Sequence, residues 1–236
     1  KVLKEIKSLK SNFENQNTRK TTIENKNVEY VNDITLEIEK EPVTVVVSKK
    51  GWIKTIKGHV TDIENIKFKE GDGLNLAIFL NSLDQLCLFA DNGKFYSILV
   101  HKLPSGRGFG EPLSLLFEDI SDNKILYLSE FKDQRVLLVS SDGRGFIVNL
   151  KDAVTIRKSG KQILNLKNSN KAIACLTIDG DMLAIVGENR KLLVLYLDEI
   201  PELNKGQGVI LQRYKNGLCS DAKIINLNQG LSWSQG

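Results

Sequence analysis

Basic residues recur at two kinds of position along the chain, and cations in a repeated pattern suit the binding of a phosphate backbone. The first series borders four predicted hairpin turns and comprises Lys49, Lys50, Lys54, Lys94, Arg144, Arg190 and Lys191. The second series lies in or beside glycine-containing loops that follow those hairpins and comprises Lys57, Arg107, Arg157, Lys158, Lys161 and Lys205. Glycine has no Cβ, so its backbone amides can approach a phosphate alongside a side chain. A single charged turn residue is explained by solvation, whereas the two series together favour a surface that binds a phosphate-rich partner.

Residues that could carry catalysis are few. His59 and His101 lack both the spacing of a zinc-binding HExxH motif and a nearby histidine partner. Asp179 and Asp181 flank a glycine between predicted strands, where Asp-Gly is ordinary turn chemistry rather than a magnesium pair. The glycine-rich loop at 105–112 is not followed by a helical pattern, as a nucleotide-binding loop would be. We therefore expect no catalytic residue, no metal site and no cofactor in this chain.

The composition is that of a globular protein. The 236 residues carry a net charge of +4, with 41% hydrophobic and 26% charged residues, which excludes collagen-like and wholly disordered classes. Cys87, Cys175 and Cys219 are widely spaced and odd in number, so we expect reduced thiols and a cytoplasmic location. No apolar run approaches the roughly 20 residues of a membrane-spanning helix. Basic side chains outnumber acidic ones in residues 135–215, which favours a phosphate-rich partner.

The N-terminal residues predict a short amphipathic helix over residues 1 to 13. Val2, Ile6, Leu9 and Phe13 recur at helical spacing. The pattern begins without an N-cap residue, so we expect the end of a longer helix in a chain cut from a longer polypeptide. The Asn- and Thr-rich stretch that follows predicts a linker. The first domain is therefore predicted as 1–27, a helix end plus linker, and the second as 28–236.

The second domain is predicted to be all-β and repetitive. Short aliphatic runs form pairs around turns such as Asn92-Gly93 and Asp142-Gly143, whose residues tolerate the positive φ of a tight hairpin. Lys50-Gly51 and Glu188-Asn189 occupy equivalent places, so the turns recur about 42, 50 and 46 residues apart, a spacing typical of one propeller blade. We expect about five blades, the tail from Leu218 opening the fifth. Apolar runs after three of the loops, LSLLF, QILNL and VILQRY, predict further strands.

The hairpin and loop segments resemble the C-terminal domain of the A subunit of bacterial type IIA topoisomerases. The segments are GWIKTIKGH, DNGKFYSILVHKLP, GRGFGEPLSLL, DGRGFIVNL and LNKGQGVILQRY, and together they cover most of the chain. TRKTTIE at 18–24 is similar to the end of the long coiled-coil helix in that family, commonly Arg-Arg-Thr, with Lys20 in place of the second arginine. The resemblance implies an all-β, propeller-like β-pinwheel, in which neighbouring blades exchange strands and a basic outer rim binds and bends duplex DNA.

Two branches of that family differ after the first hairpin. The gyrase branch carries a Gln-Arg-Arg-Gly-Gly-Lys-Gly box, whereas this chain has KTIKGHVTDIENIKF there and SGRGFGEPL further on, both similar to topoisomerase IV. The resemblance therefore favours a non-catalytic DNA-binding and DNA-bending domain from the A subunit of topoisomerase IV, a nucleoid-associated enzyme of strand passage, decatenation and supercoil relaxation. The implied partners are double-stranded DNA, a second A subunit, and the B subunit, through which ATP and Mg²⁺ would act.

Two alternatives remain open from the sequence. The first is the C-terminal domain of a gyrase A subunit, which wraps DNA. The second is a propeller-type protein-interaction scaffold, whose binding face would be apolar and aromatic rather than basic.

Overall fold

The chain divides into two units, Lys1–Glu37 and Ile38–Gly236. A computed structural model describes residues 2–14, 39–62, 65–106 and 108–232. In the first unit, helix α1 spans Val2–Glu14, which confirms the predicted N-terminal helix. The apolar side chains of Val2, Leu3, Ile6 and Leu9 are exposed on it. The predicted linker and the domain boundary at residue 28 lie outside the described residues.

The second unit is built from short strands. They are β1 (Pro42–Ser48), β2 (Trp52–Lys57), β3 (Leu74–Asn81), β4 (Gln85–Ala90), β5 (Lys94–Leu99), β6 (Glu111–Pro112), β7 (Ile125–Glu130), β8 (Arg135–Ser140), β9 (Arg144–Asn149), β10 (Lys161–Gln162), β11 (Ala172–Thr177), β12 (Met182–Gly187), β13 (Leu192–Tyr196), β14 (Val209–Ile210) and β15 (Cys219–Ile225). Short helices α2 (Leu113–Leu116) and α3 (Leu150–Ala153) and 3-10 turns at Val100–Lys102 and Leu197–Glu199 connect them.

The strands form four antiparallel sheets that exchange strands. The sheet orders are β3-β1-β2-β6, β7-β4-β5-β10, β11-β8-β9-β14 and β15-β12-β13. Strands β6, β10 and β14 each follow the hairpin of the next sheet along the chain and return to pair with the preceding one. This exchange confirms the predicted all-β, propeller-like pinwheel.

The blade count and the tail differ from the expectation. The described residues form four sheets rather than about five, because the tail supplies β15 to the fourth sheet instead of opening another unit. The run LSLLF forms helix α2 rather than a strand. Pro112, with φ −66°, precedes that helix, and proline has no N–H with which to continue a ladder.

The four hairpins share one turn geometry. Gly51, Gly93 and Gly143 have φ of 75°, 78° and 76°, and each donates its N–H to the carbonyl three residues earlier, at 2.9–3.0 Å. Left-handed backbone of this kind suits glycine, which has no Cβ to clash. Arg190 takes the same place in the fourth hairpin, with φ of 61° and an N–H donated to Gly187 O at 2.8 Å. The predicted hairpins are therefore confirmed, but the left-handed residue of the fourth turn is Arg190, one position after the predicted Asn189.

Consecutive sheets pack through alternate residues of their central strands. In β8, Val136 and Leu138 join the apolar cluster shared with the second sheet, whereas Leu137 and Val139 join the one shared with the fourth. Successive side chains of a strand point to opposite faces, so β8 is buried on both sides. Full burial of each such side chain contributes about 1.5–3 kcal/mol, and the layers hold the turns of successive repeats in equivalent places.

Each exchanged strand is seated by a glycine and an apolar residue. A Cβ on Gly110, Gly160 or Gly208 would lie 2.2–2.8 Å from the carbonyl oxygen of the second residue of β2, β5 or β9. Three residues after each of these glycines, a buried Leu or Ile donates its N–H to the carbonyl of the hairpin-turn glycine. These pairs are Leu113 with Gly51, Ile163 with Gly93 and Leu211 with Gly143. The segments Gly-x-x-Leu and Gly-x-x-Ile are thus the sequence unit of strand exchange.

Candidate nucleic-acid interface

The two predicted basic series meet where a hairpin turn contacts the glycine loop of the next repeat. Arg144 donates from Nη1 to Gly208 O at 3.3 Å, which ties the third turn to the loop at 204–208. Lys94 donates from Nζ to Ser159 O at 3.4 Å, which ties the second turn to the loop at 157–161. At the first hairpin, Trp52 pairs with Pro112, and Lys54 donates from Nζ to Gly108 O at 3.2 Å. We call these three contacts the junctions.

Eight predicted cations are exposed and have no carboxylate within 4.0 Å in the part of the chain that the structure describes. They lie on the first and fourth hairpin turns and on two of the glycine-containing loops. They are Lys49, Lys50, Arg157, Lys158, Lys161, Arg190, Lys191 and Lys205. Lys161 is held at its ammonium by Asp152 O, a backbone acceptor that leaves its charge unneutralised. We call these eight side chains the exposed cation set.

Three further predicted cations carry a carboxylate partner. Lys57 lies 2.7 Å from Glu41, and the hydrogen bond with this carboxylate raises the pKa of Lys57. Lys94 lies 3.2 Å from Asp119, and Arg144 lies 3.5 Å from Asp142. Ion pairs near the surface are weak, so a phosphate can compete for the cation. Their charge is nevertheless partly cancelled at the surface.

Lys54 does not reach the surface. The residue is 6% exposed, and its ammonium donates to Lys67 O at 2.9 Å and to Gly108 O at 3.2 Å. Burial lowers the pKa of Lys54. The side chain ties β2 to two neighbouring segments, so Lys54 is a structural residue rather than part of the interface. Arg107 lies outside the described residues.

Comparison with known proteins agrees with this repeated geometry. The family described as DNA gyrase C-terminal domain, beta-propeller, matches residues 134–179 and 181–226. The A subunit of DNA topoisomerase 4 from Rickettsia bellii is 42% identical over 240 residues, and that from Rickettsia felis 44% over 239. The matches cover 100% and 99% of this chain and 32% of each relative.

A solved structure agrees with the sequence relatives. The E. coli ParC C-terminal domain superimposes with a TM-score of 0.72 at 26% identity, covering 79% of this chain and 80% of that one. The chain belongs to the family of C-terminal domains found in the A subunits of gyrase and topoisomerase IV. It spans about a third of the length of the Rickettsia relatives.

Two lysines of this family member join the first junction, although the spacing of the turns and loops did not single them out. Lys69 places its ammonium 3.4 Å from the ring centroid of Trp52, a cation–π contact. Lys67 is exposed, while its carbonyl accepts from Lys54. Both lie in the segment between β2 and β3 that folds back over the first hairpin, where Lys50 also donates to Glu70 O at 3.3 Å. The alternation of lysine with other residues in KFKE, at 67–70, was the sequence signal that could have identified these two lysines.

One apolar side chain stands out within the second junction of this domain. Ile156 is 92% exposed and directly precedes Arg157 and Lys158 in the loop. Its side chain borders a cavity of about 270 Å³ that is also lined by Leu116, Phe117 and Lys158. An exposed aliphatic group beside cations is able to contact both sugar and base edges of a nucleic acid.

The residues considered for catalysis have structural contacts. His59 lies 3.3 Å from Leu80 O and stacks on Phe79 at 4.9 Å between centroids. Asp181 accepts from the N–H of Leu227 at 2.8 Å. Burial raises the pKa of Cys87 to about 12. Within the described ranges, no group of three His, Cys, Asp or Glu residues is placed to hold a metal, and no helix is long and apolar enough to cross a membrane.

Proposed function

We propose that this domain binds duplex DNA with little sequence preference and bends it. The observation that supports this is the exposed cation set, which lies on the first and fourth hairpin turns and on the glycine-containing loops at 157–161 and 204–208. Phosphate contacts fix a duplex without reading its bases. The strands offer short loops to the solvent, and the described part of the second unit presents no long helix for a major groove.

The energies permit bending. Bending a site of roughly 20–30 base pairs smoothly costs about 1–6 kcal/mol. Some six to ten phosphate contacts change affinity by about 10³ to 10⁵ between 50 and 200 mM salt. Contacts on this scale offset the bend, so repeated junctions can hold a curved duplex.

Within a complete topoisomerase IV, the domain would engage duplex DNA for strand passage, decatenation and supercoil relaxation while contributing no catalytic group. Family membership and the exposed cation set support this role. The partners would be double-stranded DNA, a second A subunit, and the B subunit, through which ATP and Mg²⁺ would act. The place of action would be the nucleoid in the cytoplasm.

Binding is tested by fluorescence anisotropy with random-sequence duplexes across a salt series. We expect log K to fall linearly with log salt, losing about 10³-fold or more from 50 to 200 mM, with similar values for unrelated sequences. A protein-interaction scaffold would give weak binding with a flat salt response, which would contradict the proposal. A ligation-based topology assay separates the gyrase alternative, because wrapping changes linking number whereas bending in a plane does not.

Bending is tested at Ile156. Proteins that bend DNA commonly insert an apolar wedge between base steps. We expect Ile156→Ser to reduce the bend angle while leaving the salt slope unchanged. The bend angle is measured by energy transfer between dyes at the two ends of a duplex of about 30 base pairs, a length that is nearly straight when free.

The matched control for this variant is Leu115→Ser, since Leu115 is 65% exposed on helix α2, outside the basic loops. If Ile156→Ser and the wild type bend DNA equally, Ile156 is not a wedge. The proposal that the domain binds DNA would be unaffected. An equal reduction with Leu115→Ser would show that the effect is not specific to the loop.

A further inference from the structure

Among the described residues, the fourth sheet lacks the strand that completes each of the other three. Strands β2, β5 and β9 are covered by β6, β10 and β14, whereas β13 pairs with β12 alone. The equivalent strands β2, β5 and β9 are largely buried, but Leu192, Leu193, Val194 and Tyr196 of β13 are 36–52% exposed. An apolar strand with one open edge is a template for pairing with another chain.

The backbone groups on that edge can be assigned from the ladder. Gly187 donates to Lys191 O at 3.1 Å, and Leu197 donates to Asp181 O at 3.0 Å. Hydrogen bonding alternates along an antiparallel strand, so odd-numbered residues of this stretch face β12 and even-numbered ones face away. The outward groups are therefore the N–H and C=O of Leu192, Val194 and Tyr196. At the position equivalent to Val194, the N–H of Ile147 is bonded to Pro201 O at 3.0 Å.

The charges that flank β13 indicate which strand pairs with its open edge. Arg190 and Lys191 precede the strand, and Asp198 and Glu199 follow it, all four exposed. A second copy of the same strand running antiparallel places the basic end of one beside the acidic end of the other. A parallel copy would place like charges together. Antiparallel self-pairing is thus favoured by charge as well as by exposed apolar surface.

We propose that β13 pairs with β13 of a second copy of this chain, around a two-fold axis at Val194. Because even-numbered residues face outward, Val194 would pair with its own counterpart and Leu192 with Tyr196. The same register places Arg190 opposite Asp198 at both ends. The result is a continuous sheet across two molecules, and this inference does not rest on the proposed DNA binding.

The test is sedimentation equilibrium of the 236-residue chain without DNA. We expect the mass to rise from 26.4 kDa toward twice that value as concentration increases. Val194→Pro should abolish the rise, because proline removes an N–H that faces away from β12 and its ring blocks the edge. Arg190→Asp and Asp198→Arg should each raise the dissociation constant about tenfold, and the double variant should restore it.

The outcomes are separable. A monomer at all concentrations overturns the proposal, and protection of the Val194 amide from hydrogen exchange in that monomer would show that the chain covers its own edge. A dimer that persists in Val194→Pro also overturns it and points to another surface, such as the exposed apolar side chains of α1. Circular dichroism checks that Val194→Pro folds. If Val194→Pro unfolds, the charge variants are the test of the pairing. A double variant whose dissociation constant stays raised would contradict it.

Discussion

Lys50 and Lys54 lie four residues apart at the first hairpin and have different roles in the structure. Lys50 is exposed at the turn. Lys54 is buried in β2, where its ammonium donates to two backbone carbonyls instead of to water. From sequence alone, a lysine in a strand is expected to face solvent. The covering segments come from residues 67 and 108, which lie too far along the chain for a local pattern to reveal them.

Replacing the two lysines should separate stability from DNA binding. We expect Lys54→Met to lower the free energy of unfolding by about 1–3 kcal/mol, because the carbonyls of residues 67 and 108 lose a charged donor, with no change in the salt slope. Lys50→Met should change stability by less than about 0.5 kcal/mol and lower the salt slope by about one. Urea unfolding and anisotropy measure the two effects. A reduced slope in Lys54→Met would contradict the buried placement.

The pH dependence of Lys54 has a definite sign. Its pKa in the folded protein lies below the ordinary 10.5, so the unfolded state binds more protons between the two values. Stability contributed by Lys54 therefore rises with pH in that window and is constant below it. We expect the unfolding free energy of the wild type to rise relative to that of Lys54→Met as pH approaches 10.5. A shift in the opposite direction would contradict the desolvated ammonium.

At the scale of elements, the left-handed hairpin glycines differ in how closely the exchanged segment packs against them. Gly51 and Gly143 have nearly equal φ, 75° and 76°, but a Cβ on Gly51 meets nothing within 4 Å. A Cβ on Gly143 would lie 2.3 Å from Gln212 O and 2.6 Å from the Tyr214 ring. Gln212 closely follows the exchanged strand β14, so this contact holds one repeat against the next.

These two glycines form a matched pair. Gly51→Ala should cost about 1–2 kcal/mol, the strain of a left-handed residue with a Cβ. We expect Gly143→Ala to cost at least twice as much, because the exchanged segment must also move. Urea unfolding of both variants gives the comparison. Equal losses would mean that packing against the exchanged segment adds nothing to stability.

The hairpins could be predicted from sequence because turn chemistry is local. Asn92-Gly93 and Asp142-Gly143 specify a positive φ between two aliphatic runs. The exchanged strands could be predicted only in part. The run VILQRY contains all of β14 and the run QILNL contains one residue of β10, whereas β6 precedes the run LSLLF; strands of two residues are too short to show a period of two. The prediction that the tail opens a new unit is wrong for a related reason. Only long-range pairing with β12 makes β15 the third strand of the fourth sheet.

The candidate site was predictable to a similar extent. Turn and loop positions of the cations follow from the repeat, so both series could be found. The neutralisation of Lys94 could not, because Asp119 reaches it from 25 residues away and belongs to no turn of the hairpin. The meeting of the two series at the junctions also depends on strand exchange.

At the scale of the whole molecule, the central claim is that cations at the junctions, rather than net charge, hold the duplex. The net charge is +4, and replacing any three lysines or arginines with neutral residues lowers it by the same amount. An attraction that depends on net charge alone would therefore weaken equally. Lys124, Lys132 and Lys151 are exposed like the junction cations, and two of them have carboxylate partners, Glu130 and Asp133. Replacing these three with glutamine gives a control of equal charge.

The most direct measurement is the salt slope of random-duplex binding in two triple variants. For Arg157→Gln, Lys158→Gln and Lys205→Gln together, we predict a slope smaller by about 2 to 3 and markedly weaker binding at low salt, as three lost phosphate contacts require. The control triple variant should keep a slope close to wild type. Equal reductions in both triple variants, or none in the junction variant, would contradict a DNA interface at the junctions.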